Sequence, residues 1–370
     1  MTSSSSPRAD VSGRPLSAIE DTFGANFFAS DTLRPALVTA TTRAHGMRTR
    51  HACLRHDNGA GVQGRTVAGN QFESKSHQLT GIYEPSAVQQ LADGRFLVAE
   101  DEKARPFSAF SFDAGGGVRT TELKPRLLQF FSDAWRLDDL EGLAIDGSGF
   151  LYAITSFSRT DEGFEKSNRE KLVRFRVDGD RLVDGRVVRG LKRALTGRHP
   201  ALARAAAVRD VKNGGGLNIE SLDVSPDQQQ LLVGFRGPLV DGCAVVARVG
   251  SLPALFEGGE PDVGAKLELL DLEGAGIRSM SFVPWLGEYL VVGGPLDKSD
   301  AGFTLWLWQG PSGSVRRVRP WTADLSRCEG VCPALIDGRE SLVLVRDDGD
   351  RKAGRSATFS WLDAKRLETA

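Results

Sequence analysis

The sequence predicts an all-β chain folded as a β-propeller, with five blades favoured over six and one helical insertion near 191–208. Three observations carry this. Five segments resemble one another: YEPSAVQQLADGRFLVAEDE from Tyr83, LEGLAIDGSGFLYAITSFS from Leu140, IESLDVSPDQQQLLVGFRGP from Ile219, IRSMSFVPWLGEYLVVGGP from Ile277 and CEGVCPALIDGRESLVLVRDD from Cys328. Each holds a charged residue, a short apolar run, a tight turn and a second apolar run, and two further runs follow most of them. Four strands per repeat, joined by Asp-Gly turns at Asp93-Gly94, Asp146-Gly147, Asp178-Gly179 and Asp337-Gly338, is the pattern of propeller blades. Glycine fits the same picture, at 42 of 370 residues against an ordinary frequency of roughly 7 %.

The charged markers Glu84, Glu141, Glu220, Arg278 and Glu329 lie 57, 79, 58 and 51 residues apart. One insertion explains the long interval. Its Leu191–Val208 stretch reads as a helix interrupted before Pro200 and is followed by an Asn-Gly-Gly-Gly loop. Third strands alternate with period two in PFSAFSFDAG, KLVRFRVDGD, CAVVARVGS, FTLWLWQGPSG and SATFSWLDA; Trp306 and Trp308 are read as packing between blades. The fifth repeat lacks an outer strand, because the chain ends soon after SATFSWLDAKRL. A strand from FESKSHQLTG (72–81) is expected to complete it and remove the open edge.

The domain reading is a disordered tail over 1–20, an irregular extension over 21–70 and the propeller over 71–370. The extension holds His45, His51, Cys53 and His56, whose spacing matches no common zinc site, so a solvated, Arg-rich segment is expected there. Cys328 and Cys332 sit four apart in a strand, ~13 Å at the strand rise, too far to bridge. Thiols in a cytoplasmic protein are the expectation.

Composition excludes several function classes. With 47 basic and 48 acidic residues the chain has a net charge of −1 and no electrostatic footprint for nucleic acid. No stretch reaches the ~20 apolar residues of a membrane helix, and the first residues, MTSSSSPRADVSGRP, have no apolar core of a secretory signal. Nor is there a phosphate loop, a Gly-x-Ser-x-Gly elbow or a His-Glu-x-x-His motif.

What remains is the ring that the repeats imply. Each marker precedes the innermost strand, so Glu84, Glu141, Glu220, Arg278 and Glu329 are expected around one mouth of the channel. The second strands return to the same face, bringing Asp101, Ser156, Ser158, Arg159, Arg236, Arg346 and Asp347. Converging carboxylates repel one another unless a cation or an arginine compensates them. Ca²⁺ or Mg²⁺ suits such oxygen donors, and Asp139 and Asn218, each two residues before a ring glutamate, add further ones. The other open reading is a repeated structural staple, because duplication copies structural residues as readily as ligands.

The segments TGIYEPSAVQQLADGRFLVAEDEKARPFS, DDLEGLAIDGSGFLYAITSFSRT and LNIESLDVSPDQQQLLVGFRGPLVDGCAVVARV resemble the bacterial family DUF3616, a family of unknown function. That family is in turn similar to phytase-like and esterase-like propellers that share a Glu-Gly-Leu motif, and the resemblance spans roughly 70–363. Two departures show: Ser221 stands in place of glycine after Glu220, and Phe157 interrupts a stretch that carries Ser-His-Ser in the family. Any chemistry of that histidine is absent here.

Two function classes follow. The first is a metal-supported hydrolase of a small phosphoester, lactone or ester. Its metal ligands would be drawn from Glu84, Glu141, Glu220, Glu329, Asp139 and Asn218, with Arg278 or Arg159 holding an anionic group. The second is a non-catalytic propeller that binds a small molecule or a protein partner through the same face. Fold alone does not choose between them; neither class involves nucleic acid or a membrane.

Overall fold

A computed structural model describes residues 76–363 and Leu367, apart from 102–104, 113–116, 127–131, 210–215, 298, 300–301 and 319–323. The expected tail (1–20) and extension (21–70), with the His45–His56 cluster, lie outside the described residues.

Five antiparallel sheets stand in a ring as propeller blades. A first short strand, β1 (His77–Gln78), precedes them. Blade one is β2 (Pro85–Gln90), β3 (Phe96–Glu100), β4 (Phe107–Phe112) and β5 (Val118–Glu122). Blade two gathers β6 (Lys124–Pro125), β7 (Leu140–Ile145), β8 (Leu151–Thr155), β9 (Leu172–Asp178) and β10 (Arg181–Val188), with β6 parallel on its outer edge. Blade three comprises β11 (Asn218–Val224), β12 (Leu231–Val240), β13 (Cys243–Gly250), β14 (Asp262–Val263) and β15 (Glu268–Leu270). Blade four is β16 (Gly276–Val283), β17 (Glu288–Gly294), β18 (Thr304–Trp308) and β19 (Val315–Arg317). Blade five is β20 (Cys328–Ile336), β21 (Arg339–Arg346) and β22 (Thr358–Asp363).

The ring closes as the sequence predicts. β1 pairs antiparallel with β22, His77 against Phe359 and Gln78 against Thr358. Leu79 and Ile82 follow it into a fully buried layer with Val88, Phe96 and Val98 of blade one and Val343, Val345 and Phe359 of blade five. Amino- and carboxy-terminal chain thus complete one blade, and an exposed strand edge is avoided.

The apolar core is divided among the interblade layers. Blades one and two pack Leu97, Phe107, Leu143 and Phe175 together. Blades three and four bury Leu232, Val246, Ile277, Tyr289, Trp306 and Trp308, which gives both tryptophans the packing role expected of them. The insertion forms α1 (Leu191–Arg198) and α2 (Pro200–Ala207), broken at His199 because Pro200 favours a helix start. Leu191, Leu195, Leu202 and Ala205 dock it on Ile219 and Val233 of blade three.

No helix among the described residues is long and apolar enough to cross a membrane. Cys328 and Cys332 are free and buried, and burial pushes both thiols up to about 12. Cys243 departs from the expectation of thiols throughout: it is disulfide-bonded.

Candidate functional site

In every blade the ladder between the two innermost strands is broken near the strand entry. Where the innermost strand pairs with the second, one residue is skipped: Ser86 in blade one, Glu141 in blade two, Glu220 in blade three, Arg278 in blade four and Glu329 in blade five. A β-bulge of this kind leaves one residue unpaired and re-aims its side chain. All five bulged residues line one cavity of about 930 Å³ at the channel mouth.

This corrects the alignment at one blade. Ser86, not Glu84, occupies the ring position of blade one, and Glu84 lies two residues earlier with Asp139, Asn218, Gly276 and Arg327 on a second tier. The signal was the small residue after each bulge: Ala87, Gly142, Ser221, Ser279 and Gly330. It is small because the next blade's inner strand passes over it. A Cβ on Gly142 would lie 2.9 Å from the Leu222 backbone nitrogen, and one on Gly330 would lie 3.0 Å from that of Val88. Gly276 is equally constrained, with an added Cβ 2.2 Å from the Arg236 carbonyl oxygen.

Glu220, Arg278 and Glu329 form one compensated group. Arg278 Nε lies 3.0 Å from Glu220 Oε2 and 2.9 Å from Glu329 Oε2, and its Nη2 pairs with Glu329 Oε1. Arg236 Nη1 donates to Glu220 Oε1 at 2.9 Å and is itself held on the Pro295 and Asp297 carbonyls. Burial raises the Glu220 carboxyl above its usual range, and Arg278 and Arg236 oppose that rise. Asn218 spends its amide nitrogen on Glu220 Oε1 at 2.9 Å, so it supports this group and its side-chain oxygen is left buried without a partner. Glu84 is met by Arg351 at 3.2 Å.

Blade two is different. Glu141 accepts no hydrogen bond and has no ion pair among the described residues, yet its carboxyl is raised well above the usual range by burial and then by Glu220, Asp139, Asp101 and Glu329. Carboxylate oxygens of Asp101, Asp139 and Glu141 lie within 4.8 Å of one another. Asp139 holds a left-handed backbone, φ 63°, uncommon outside glycine and better tolerated by aspartate than by most residues. Its Oδ2 accepts from the Ser156 hydroxyl, from Ser158 Oγ at 2.8 Å, and pairs with Arg169 at 3.0 Å. Lys166 and Arg169 bind the neighbouring Asp138, which fixes the turn that presents Asp139.

Of the six expected metal ligands, the structure therefore brings Glu141 and Asp139 together with Asp101, which sequence reasoning had on the same face but outside the ligand set. It commits Glu220 and Glu329 to Arg278, Glu84 to Arg351 and the Asn218 amide to Glu220. Of the two arginines expected to hold an anion, Arg278 is engaged through Nε and Nη2 while its Nη1 is buried without a hydrogen-bond partner, and Arg159 is held on the Gly163 and Ala206 carbonyls and Glu165. Arg346 turns away from the cavity to the Ser76 hydroxyl, Thr358 and the Asp324 carbonyl. Arg169, Asp297 and Phe303 also line the cavity; they sit in connections between strands, Arg169 at the end of a short 3-10 turn, where no repeat pattern marks them. Asp347 lines it too, its carboxyl pushed up to about 6 by burial and by Glu329 and Glu84.

Residues 210–329 match the model of the family DUF3616, described as a protein of unknown function, which bears out the resemblance over that span. No curated protein matches the chain. Among solved structures it is similar to the PQQ-bound aldose sugar dehydrogenase of Streptomyces coelicolor, at 17 % identity over 78 % of this chain and 98 % of that one (TM-score 0.39). The Malassezia sympodialis allergen Mala s 1 is similar at 13 % identity, 77 % and 80 % coverage and TM-score 0.39. The pyranose dehydrogenase PQQ domain of Coprinopsis cinerea is similar at 11 %, 78 % and 97 % coverage and TM-score 0.38. At such values no activity transfers from these structures to this chain.

Proposed function

We propose that the channel mouth is a divalent-cation site supporting hydrolysis of a small phosphoester, lactone or ester. One observation carries the reading: three carboxylates of adjacent blades converge within 4.8 Å, and Glu141 among them has neither a hydrogen bond nor an ion pair among the described residues. Hard oxygen donors in that number suit Ca²⁺ or Mg²⁺. Asp101, Asp139 and Glu141 would hold the ion, which when bound polarises a substrate oxygen and makes water more acidic. Asp347, pushed up to about 6, has the titration range of a group that takes a proton near neutrality. Arg169 and the two serines keep Asp139 oriented, and the Arg278 group closes the far side of the ring without adding charge.

The second reading, a propeller that binds a small molecule or a protein without chemistry, is favoured by the lining itself. No histidine is present among the described cavity residues to activate Ser86 or Ser158. Chelated protein assayed with nitrophenyl esters, nitrophenyl phosphate and a lactone separates the two. Activity should return only with Ca²⁺ or Mg²⁺ and be lost in Glu141→Gln; a cation that binds without any turnover leaves the binding propeller. The cytoplasmic location expected above sits uneasily with the disulfide at Cys243, since cytosolic thiols are kept reduced. Alkylation of protein isolated without reductant, followed by mass measurement, decides that point.

A further inference from the structure

We infer that the substrate is a neutral ester or lactone with an apolar portion, not a phosphate ester; the inference rests on the hydrolytic reading above. Charge is the first observation. Aspartates and glutamates lining the cavity outnumber arginines nine to five, a formal balance of −4 with every carboxyl ionised. A bound divalent cation lowers this only to −2. Little arginine is spare: Arg159, Arg169 and Arg236 are spent on carboxylates and carbonyls, Arg278 keeps only its Nη1, which is buried without a hydrogen-bond partner, and Arg327 is engaged as well. Phosphate recognition relies on free, charge-assisted donors, above all arginine forks, and a phosphate dianion here would meet repulsion instead.

The second observation is a wall of the opposite character. Leu296 and Phe303, both half-buried, line the cavity from blade four. In a ring of five, blade four faces the junction of blades one and two, where Asp101, Asp139 and Glu141 converge. The wall is built into the strand end. An added Cβ on Gly294 would lie 2.5 Å from Arg278 Cγ and 3.1 Å from Phe303 Cε1, so glycine is what lets both side chains lie against β17. The Arg278 guanidinium sits 5.6 Å from the Phe303 ring centroid and braces it. A ligand spanning the cavity thus meets an oxygen-seeking centre at one end and apolar surface at the other.

The reaction balances with water as co-reactant. Its oxygen bonds to the carbonyl carbon, the ester C–O bond breaks, one water proton passes to the leaving alkoxide, and the other is shed by the new carboxylic acid.

The test uses the full chain with Ca²⁺ or Mg²⁺ and four substrates: nitrophenyl acetate, nitrophenyl butyrate, dihydrocoumarin and nitrophenyl phosphate. An ester or the lactone should exceed the phosphate by at least a hundredfold in kcat/KM, with butyrate better than acetate. Phe303→Ala and Leu296→Ala should each raise the butyrate KM about tenfold, so that the preference for butyrate over acetate is lost, and Phe303→Leu should recover most of the loss. Thermal melts of each variant show that it is folded. Phosphate turnover equal to or above ester turnover overturns the inference and leaves the hydrolytic reading standing, as does a butyrate KM unmoved in folded Phe303→Ala and Leu296→Ala. Turnover of no substrate, with the cation still bound, removes both.

Discussion

Two arcs of the same ring treat the same problem in opposite ways. In blades three to five, Glu220 and Glu329 flank Arg278, and Arg236 adds a second guanidinium, so two carboxylates meet two cations. At the junction of blades one and two, Asp101, Asp139 and Glu141 meet, with Arg169 against Asp139 and no ion pair to Glu141 among the described residues. Backbone geometry is shared, because each arc is built on the same bulge after the strand entry. The difference lies wholly in side-chain identity. A closed arc fits a structural staple; an arc left with surplus charge is where a cation or a proton is needed.

The largest effect should come from the closed arc. Arg278→Met strips Glu329 of its guanidinium and leaves Glu220, only 4 % exposed, with Arg236 alone. Uncompensated buried charge typically costs about 3–5 kcal/mol, so urea denaturation should show a loss of that order. A loss below about 1 kcal/mol would dissolve the distinction between the arcs.

The open arc should instead respond to ions. A ligand confined to the folded state adds ~2.7 kcal/mol at a hundredfold excess over its dissociation constant. Chelator should lower Tm and Ca²⁺ or Mg²⁺ restore it, with Glu141→Gln and Asp101→Asn blunting the response and Glu329→Gln sparing it. Equal blunting by Glu329→Gln would place the ion elsewhere in the ring.

A pH series sharpens the contrast further. Glu141 has a folded pKa raised above its unfolded value near 4.5, so the folded state binds the extra proton. Its contribution is neutral below the unfolded pKa and becomes a growing penalty as pH rises towards the folded pKa. In chelator, Glu141→Gln should therefore melt above the parent at pH 7, with the gap closing near pH 4.5. A variant that melts below the parent at pH 7 would make Glu141 a staple like its neighbours.

The smallest effect belongs to the far end of blades one and two. Arg95 pairs there with Asp93 at 2.7 Å and Asp180 at 2.8 Å, partners that are 51 % and 61 % exposed. Exposed pairs of this kind contribute about 0.2–1 kcal/mol. Arg95→Ala should shift stability by no more than that in a denaturant titration, and should leave the cation response untouched.

The sequence by itself determined the propeller class, with five blades favoured over six, the helical insertion, the closing strand near His77 and four of the five ring positions. Each is written in local pattern: period-two strands, turn dipeptides and a repeat of one charged residue before a small one. Tertiary structure decided the rest. Ser86 takes the ring place assigned to Glu84 because a bulge skips one residue of the ladder, and a serine among strand residues looks no different from its neighbours. Asp101 joins Glu141, although 40 residues separate them in the chain, because adjacent blades bring a second-strand exit beside an inner-strand entry. Which glutamates Arg278 neutralises depends on distances of about 3 Å between side chains of different blades. Local sequence sets the strands and the bulged positions, while Coulomb energy at those separations belongs to the assembled ring and is settled only when the blades meet.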